Sequence, residues 1–301
     1  MLPRPSRWPW VSRAFLALLL SISVGACARL ERLALPEVSL NDPFWAEHDP
    51  GSSIELDHSD WGRFLAAYVR TDPMGVNWVA YGAVTPEDRA ALQAYLDRLY
   101  ATPTPKLARP EQLAFWVNLY NARTVALILD HYPVASIRDI KFTPFAIGPW
   151  SEPLLQVQGR PLSLNDVEHG IVRPIWQDAR VHYVLNCAAA GCPNLGRHEY
   201  TGRTIGRAMD EAARAYVNDR RGVHIDDRDR LIGSKIYLWF EEDFGGTPEA
   251  VLASVRRFAR TELATELDRR TGFDGFAYDW SLNDDPTAVS SSNAGVTLRA
   301  P

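Results

Sequence analysis

The chain has 301 residues, 46% of them hydrophobic, and a formal charge of −5 at pH 7. That length suits one large domain or two small ones, and an acidic balance without blocks of Lys or Arg excludes nucleic acid as a partner. Three cysteines in so long a chain exclude a disulfide-stapled miniprotein.

The opening stretch carries Arg4, Arg7 and Arg13 and no acid, and the apolar run Ala14 to Val24 follows at once. A run of about 11 residues fits the core of an export signal and is too short for the roughly 20 that span a bilayer as a helix. It ends in Val24-Gly25-Ala26-Cys27, which resembles the lipobox of bacterial lipoproteins. Residues 1–26 are therefore expected to be a cleaved signal, with Cys27 the lipid attachment site and the membrane a partner through that lipid. Ala28, in place of an aspartate, implies an outer-membrane lipoprotein facing the periplasm. Cleavage removes three arginines and no acid, so the charge falls from −5 to −8.

Residues 27–55, with Pro36, Pro43, Pro50 and Gly51, read as a tether, 56–283 as the globular domain, and 284–301, rich in Ser, Ala and Asp, as a flexible tail. Ser59 is placed to cap a helix that buries Trp61, Phe64, Leu65, Tyr68 and Val69. Thr85-Pro86-Glu87-Asp88 opens a second helix, and Thr204 to Asn218 and Pro248 to Leu267 read as two more.

The helix from Pro110 to His131 is apolar nearly all round, the mark of a helix at the domain centre. Its polar exceptions line up. Glu111 and Asn118 lie about 20° from eclipsed, and Asn121 stands one turn beyond. Such a stripe either serves a site or simply satisfies the helix dipole and nearby backbone groups. Arg180 to Asn186 alternates as a strand would, and Leu154 to Val157 and Leu231 to Phe240 are further strands. Helices outnumber strands. The expected class is α+β, a helix-rich single domain around a small, mostly antiparallel sheet.

The segment Asn186-Cys187-Ala188-Ala189-Ala190-Gly191-Cys192-Pro193 brings a thiol to a strand end among small residues. A cysteine nucleophile needs an imidazole, and a third group to orient it. His182 is nearest in sequence, although five residues of strand would set it on the opposite face. His169 and His198 are the substitutes. Other readings of the same residues are a disulfide between Cys187 and Cys192, a buried small hydrophobe, and a metal site from His182, Cys187, Cys192 and His198. The last spacing is too wide for a zinc knuckle, so neither metal nor cofactor is expected.

Three stretches, Ala114 to Ala122, Leu162 to Arg173 and Val181 to Leu195, resemble the domain of unknown function 547 family. Echoes run through Gly75 to Tyr81, Ser234 to Phe240 with Glu242-Asp243-Phe244, and Tyr278 to Asn283, so the likeness spans roughly 58–283. The resemblance implies a distantly papain-like fold and a catalytic set of Cys187, His182 and Glu111, with Glu168 also in a matched motif. It thus points to a cysteine hydrolase of amide or ester bonds. The competing expectation is a noncatalytic envelope module that binds a peptide, glycan or protein through its ten tryptophans. Trp116 and Trp239 are expected in the core.

Overall fold

A computed structural model describes residues 39–144, 146–285 and 287, which fall in the compact unit Val38–Pro301. The expected signal and Cys27 lie outside the described residues, as does most of the expected tail. Among the described residues no helix is long and apolar enough to cross a membrane.

The elements in chain order are α1 (Ser59–Tyr68), β1 (Val69–Thr71), β2 (Asn77–Val79), α2 (Pro86–Tyr100) and α3 (Arg109–His131). Then come β3 (Leu155–Val157), β4 (Arg160–Leu162) and α4, a run of Leu164–Val167, a π-helical turn at Glu168–Val172, and Arg173–Trp176. The chain closes with α5 (Ile205–Val217), β5 (Val223–Ile225), β6 (Leu231–Ser234), α6 (Ile236–Trp239), α7 (Pro248–Arg256), α8 (Thr261–Leu267) and β7 (Gly275–Ala277). The α+β class holds. The strands, however, form separate small sheets: β1 with β2, β3 with β4, and β5-β6-β7, where only the β6–β7 pair is parallel.

Capping chemistry explains several boundaries. Thr85 Oγ1 accepts the Asp88 N–H at 3.1 Å, and Pro86 opens α2 as expected. Ser59, by contrast, is the first residue of α1 rather than its cap, and its N–H goes to Asp57 Oδ1 at 2.9 Å. The expected helix over Pro248 to Leu267 breaks into α7 and α8. Asn218 grips the break, its Nδ2 donating to Phe258 O at 2.9 Å and its Oδ1 accepting Arg260 N–H at 2.7 Å. Likewise the strand beginning at Leu231 stops at Ser234, whose Oγ accepts the Ile236 N–H at 3.3 Å and starts α6.

The expected strand over Arg180 to Asn186 is a 3-10 helix at Ala179–Tyr183. Asp178 causes it. Its carboxylate accepts the Arg180 N–H at 3.0 Å as a cap, and Arg180 also pairs with Asp178 and Asp210.

Helix α3 is the axis of the core, with Trp116, Phe115, Leu119 and Ile128 wholly buried. Its polar stripe holds backbone. Asn118 exchanges two hydrogen bonds with Tyr200, to its O at 2.7 Å and from its N–H at 3.1 Å. Asn121 donates to Val184 O at 2.8 Å and accepts from Asn186 N–H at 2.8 Å. Gln112 ties Glu47 O and Thr104 O. The bland explanation of the stripe is the one realised.

The domain also extends past both expected edges. Residues Pro43–Ala46 form a 3-10 turn, and Trp45, 2% exposed, packs edge-on against Trp116 at 5.3 Å. Within the described part of the expected tether, the turn around Trp45 is therefore docked on the domain, because burying Trp45 outweighs leaving it in water. At the other end, Val79 bonds to both Asn283 and Asp285, and Tyr132 donates to Asp284 at 2.8 Å.

Candidate functional site

The residues singled out in the sequence fall into three places. Glu111 sits in the first turn of α3, where its carboxylate accepts the Leu56 N–H at 2.8 Å and the Gly202 N–H at 2.7 Å. A Cβ on Gly202 would lie 2.6 Å from Glu111 Oε2, so only glycine admits this close approach. Both carboxylate oxygens are spent on backbone. Glu111 makes no contact with His182, which corrects its expected role as the group that orients the imidazole.

His182 is buried in a charge centre of its own. Its Nε2 is 2.7 Å from Asp243 Oδ2 and its Nδ1 3.5 Å from Glu168 Oε1, while Phe240 stacks on the ring at 3.8 Å. Arg173 adds a second cation, gripping Asp243 through Nε at 2.6 Å and a terminal nitrogen at 3.0 Å. Tyr120 OH donates to Glu168 at 3.1 Å. Burial works against charge here, but the Asp243 and Glu168 hydrogen bonds outweigh it and hold the His182 pKa above its ordinary value. Burial likewise opposes ionisation of Glu168, yet the hydrogen bond to His182 prevails and brings that carboxyl down to about 2. Asp243 is lowered for the same reason, through His182 and Arg173.

Both ring nitrogens of His182 face carboxylates, and neither faces a sulfur. His182 is thus not placed as a general base for Cys187. His169 fares no better: its Nδ1 faces an Arg173 guanidinium nitrogen at 2.6 Å, and burial lowers its pKa. His198 is exposed. None of the three rings contacts Cys187, so the expected Cys187, His182 and Glu111 set is not brought together. The four-ligand metal set does not form either, because His182 and His198 do not reach the sulfurs.

Cys187 instead meets Cys192. The two are free thiols with Sγ atoms 2.8 Å apart, and the Cys187 N–H also points at Cys192 Sγ, at 3.1 Å. Tyr278 OH lies 3.0 Å from Cys187 Sγ. The hydrogen bond to Cys192, then burial, raises the Cys187 pKa. For Cys192 burial acts upward, but the Cys187 thiol and amide donors outweigh it, and its pKa falls.

The turn between them is firmly held. Asn186 Nδ2 donates to Pro193 O at 2.8 Å across its base, and Tyr216 OH donates to Gly191 O at 2.6 Å. Arg221 reaches Ala190 O and Cys192 O at 3.3 and 3.2 Å. Gly191 lies against Asp279, where a Cβ would meet the Asp279 backbone N at 2.5 Å.

Beside the thiols lies a cluster of half-buried aromatic rings. Tyr278 packs on Trp239 at 4.9 Å and Trp280 at 4.8 Å; Trp280 in turn meets Trp239 at 5.5 Å and Trp150 at 5.7 Å. The Arg138 guanidinium stands over Trp280 at 5.2 Å. Trp116 is in the core as expected, whereas Trp239 belongs to this cluster.

Asp243, Arg173, Phe240 and Tyr278 all fall within the sequence motifs, but no local pattern distinguishes them as partners of His182 or Cys187. Which acid answers His182 depends on a pairing 61 residues apart.

Fold and site together define an α+β domain built on a buried helix, with a charge centre around His182 of one 3-10 helix and a dithiol in the turn that follows it. Residues 104–217 match the model of a family described as Protein of unknown function, DUF547, which supports the likeness seen in the motifs. The matched stretch contains α3, His182 and both cysteines of the turn. No curated protein and no solved structure matches the chain.

Proposed function

We propose that the protein is a lipid-anchored, noncatalytic envelope module that binds a glycan on the ring cluster of Trp150, Trp239, Tyr278 and Trp280. The anchor rests on the signal-like start and the Val24-Gly25-Ala26-Cys27 motif, with the outer membrane, periplasmic side, as its location. The carrying observation is the ring cluster itself. Aromatic faces left half open to water offer flat apolar surface to the C–H faces of sugar rings.

Around the rings stand groups suited to sugar hydroxyls. Ser151, Asp279 and Ser281 are exposed, and Asn165 bonds to Ser151 Oγ at 3.0 Å. The acidic net charge disfavours an anionic ligand. Hydrolysis is the weaker reading, because Cys187 has no imidazole beside it.

Titration with N-acetylglucosamine oligomers, followed by tryptophan fluorescence, is expected to saturate, and Trp280→Ala to weaken binding at least about tenfold. No response to glycans, or saturation by unstructured peptides alone, would sink the glycan reading. Metabolic labelling with a fatty acid tests the anchor: label lost in Cys27→Ala is expected, and label retained contradicts it.

A further inference from the structure

We infer that Cys187 and Cys192 form an exchange-active dithiol, which reacts reversibly with an external low-molecular-weight or protein disulfide. The sulfurs stand 2.8 Å apart, and a covalent disulfide, at about 2.05 Å, needs only a small further approach. Nothing else in the turn has to form. The Asn186 to Pro193 hydrogen bond already closes the loop, and Cys192 N–H donates to Ala189 O at 3.0 Å, so little chain entropy remains to be lost on linking the sulfurs.

The two sulfurs differ in access. Cys187 is half-buried, whereas Cys192 is 4% exposed. An incoming disulfide can therefore meet Cys187 and not Cys192. Between them Ala188 holds φ of +58°, a left-handed conformation that costs energy outside glycine. Asn186 Oδ1 accepts the Ala188 N–H at 2.9 Å, and Ala188 O accepts the Asn283 N–H at 3.1 Å, which fixes the strained turn that presents Cys187.

Once solvent has taken the Cys192 proton, the Cys192 thiolate is set to take the proton of Cys187, since the Cys187 thiol and amide both lie against it. The freed Cys187 thiolate attacks one sulfur of the external disulfide; that S–S bond breaks, and the first thiolate leaves and takes the proton back from Cys192. The Cys192 thiolate then attacks the Cys187 sulfur of the mixed disulfide and expels the second thiolate, which takes a proton from solvent. Counted from the protonated pair, two protons and two electrons pass to the external disulfide, which departs as two thiols. Reduction is the reverse.

The test uses the full chain with Cys27→Ala, which leaves this pair as its only thiols. The protein is equilibrated in buffers of graded reduced and oxidised glutathione, quenched in acid, alkylated and weighed. Both thiols should disappear together in one two-electron transition that reverses with the buffer, giving a peptide linked from Cys187 to Cys192. Cys192→Ser should trap glutathione on Cys187, and Cys187→Ser should accumulate at least about tenfold less adduct in the same time. Two thiols that alkylate independently across the whole range overturn the inference, as does a bond that no buffer in the series reduces. The transition is read on the unaltered pair, so it decides the matter even where a serine variant fails to fold.

Discussion

His182 and Cys187 lie five residues apart, yet the structure treats them in opposite ways. His182 is held on both ring nitrogens and one face, by Asp243, Glu168 and Phe240, and a second cation, Arg173, completes the balance. Cys187 meets its own turn and one tyrosine hydroxyl, in a residue that is half-buried. Over-determined charge in a buried place is a stabilising device. A thiol set against a second thiol on a rigid turn is placed for exchange. Proximity in sequence therefore misleads here about shared chemistry.

The contrast is broken most violently at Asp243. Asp243→Ala leaves the buried Arg173 cation and the His182 ring without their shared carboxylate, and should cost about 3 kcal/mol or more in urea unfolding. A loss below about 1 kcal/mol would mean that the centre is not a stabilising one. Glu111→Ala comes next. It strands the Leu56 and Gly202 N–H groups and should cost roughly 2 kcal/mol. Its thiol alkylation rate should stay at the wild-type value, since Glu111 does not touch the cysteine turn.

A smaller effect distinguishes two buried histidines by sign. His182 has a raised pKa, so its contribution to stability is complete below the unfolded value of about 6.5 and is lost as pH rises through the folded value. His58, paired with Tyr95 at 2.6 Å, is driven by burial down to about 4, so its contribution is present above about 6.5 and lost as pH falls toward 4. In denaturation curves from acid to alkaline pH, His182→Gln should flatten the alkaline limb and His58→Gln the acid limb. The reverse assignment would contradict the account. The smallest effect belongs to Cys187→Ala, expected to change stability by under about 1 kcal/mol while abolishing disulfide exchange.

Much of the fold is legible in the sequence. Thr85 with Pro86, and the apolar circumference of α3, mark α2 and the core helix because local capping and periodicity decide them. Trp45 escapes such reading, since a proline-rich approach hides an aromatic that docks on Trp116. The alternation over Arg180 to Asn186 points to a strand, but the Asp178 cap and the two carboxylates around His182 select a 3-10 helix. The site was half legible. The motifs identify its residues, whereas Asp243 reaches His182, and Tyr278 reaches Cys187, only through long-range folding.

The separation of the two centres is tested most directly by following the His182 ring through a pH titration by NMR, before and after Cys187 is alkylated with iodoacetamide. The account predicts the same raised midpoint in both samples. A midpoint displaced by more than about one unit in the folded, alkylated protein would show that sulfur and imidazole titrate as one system, and would contradict it.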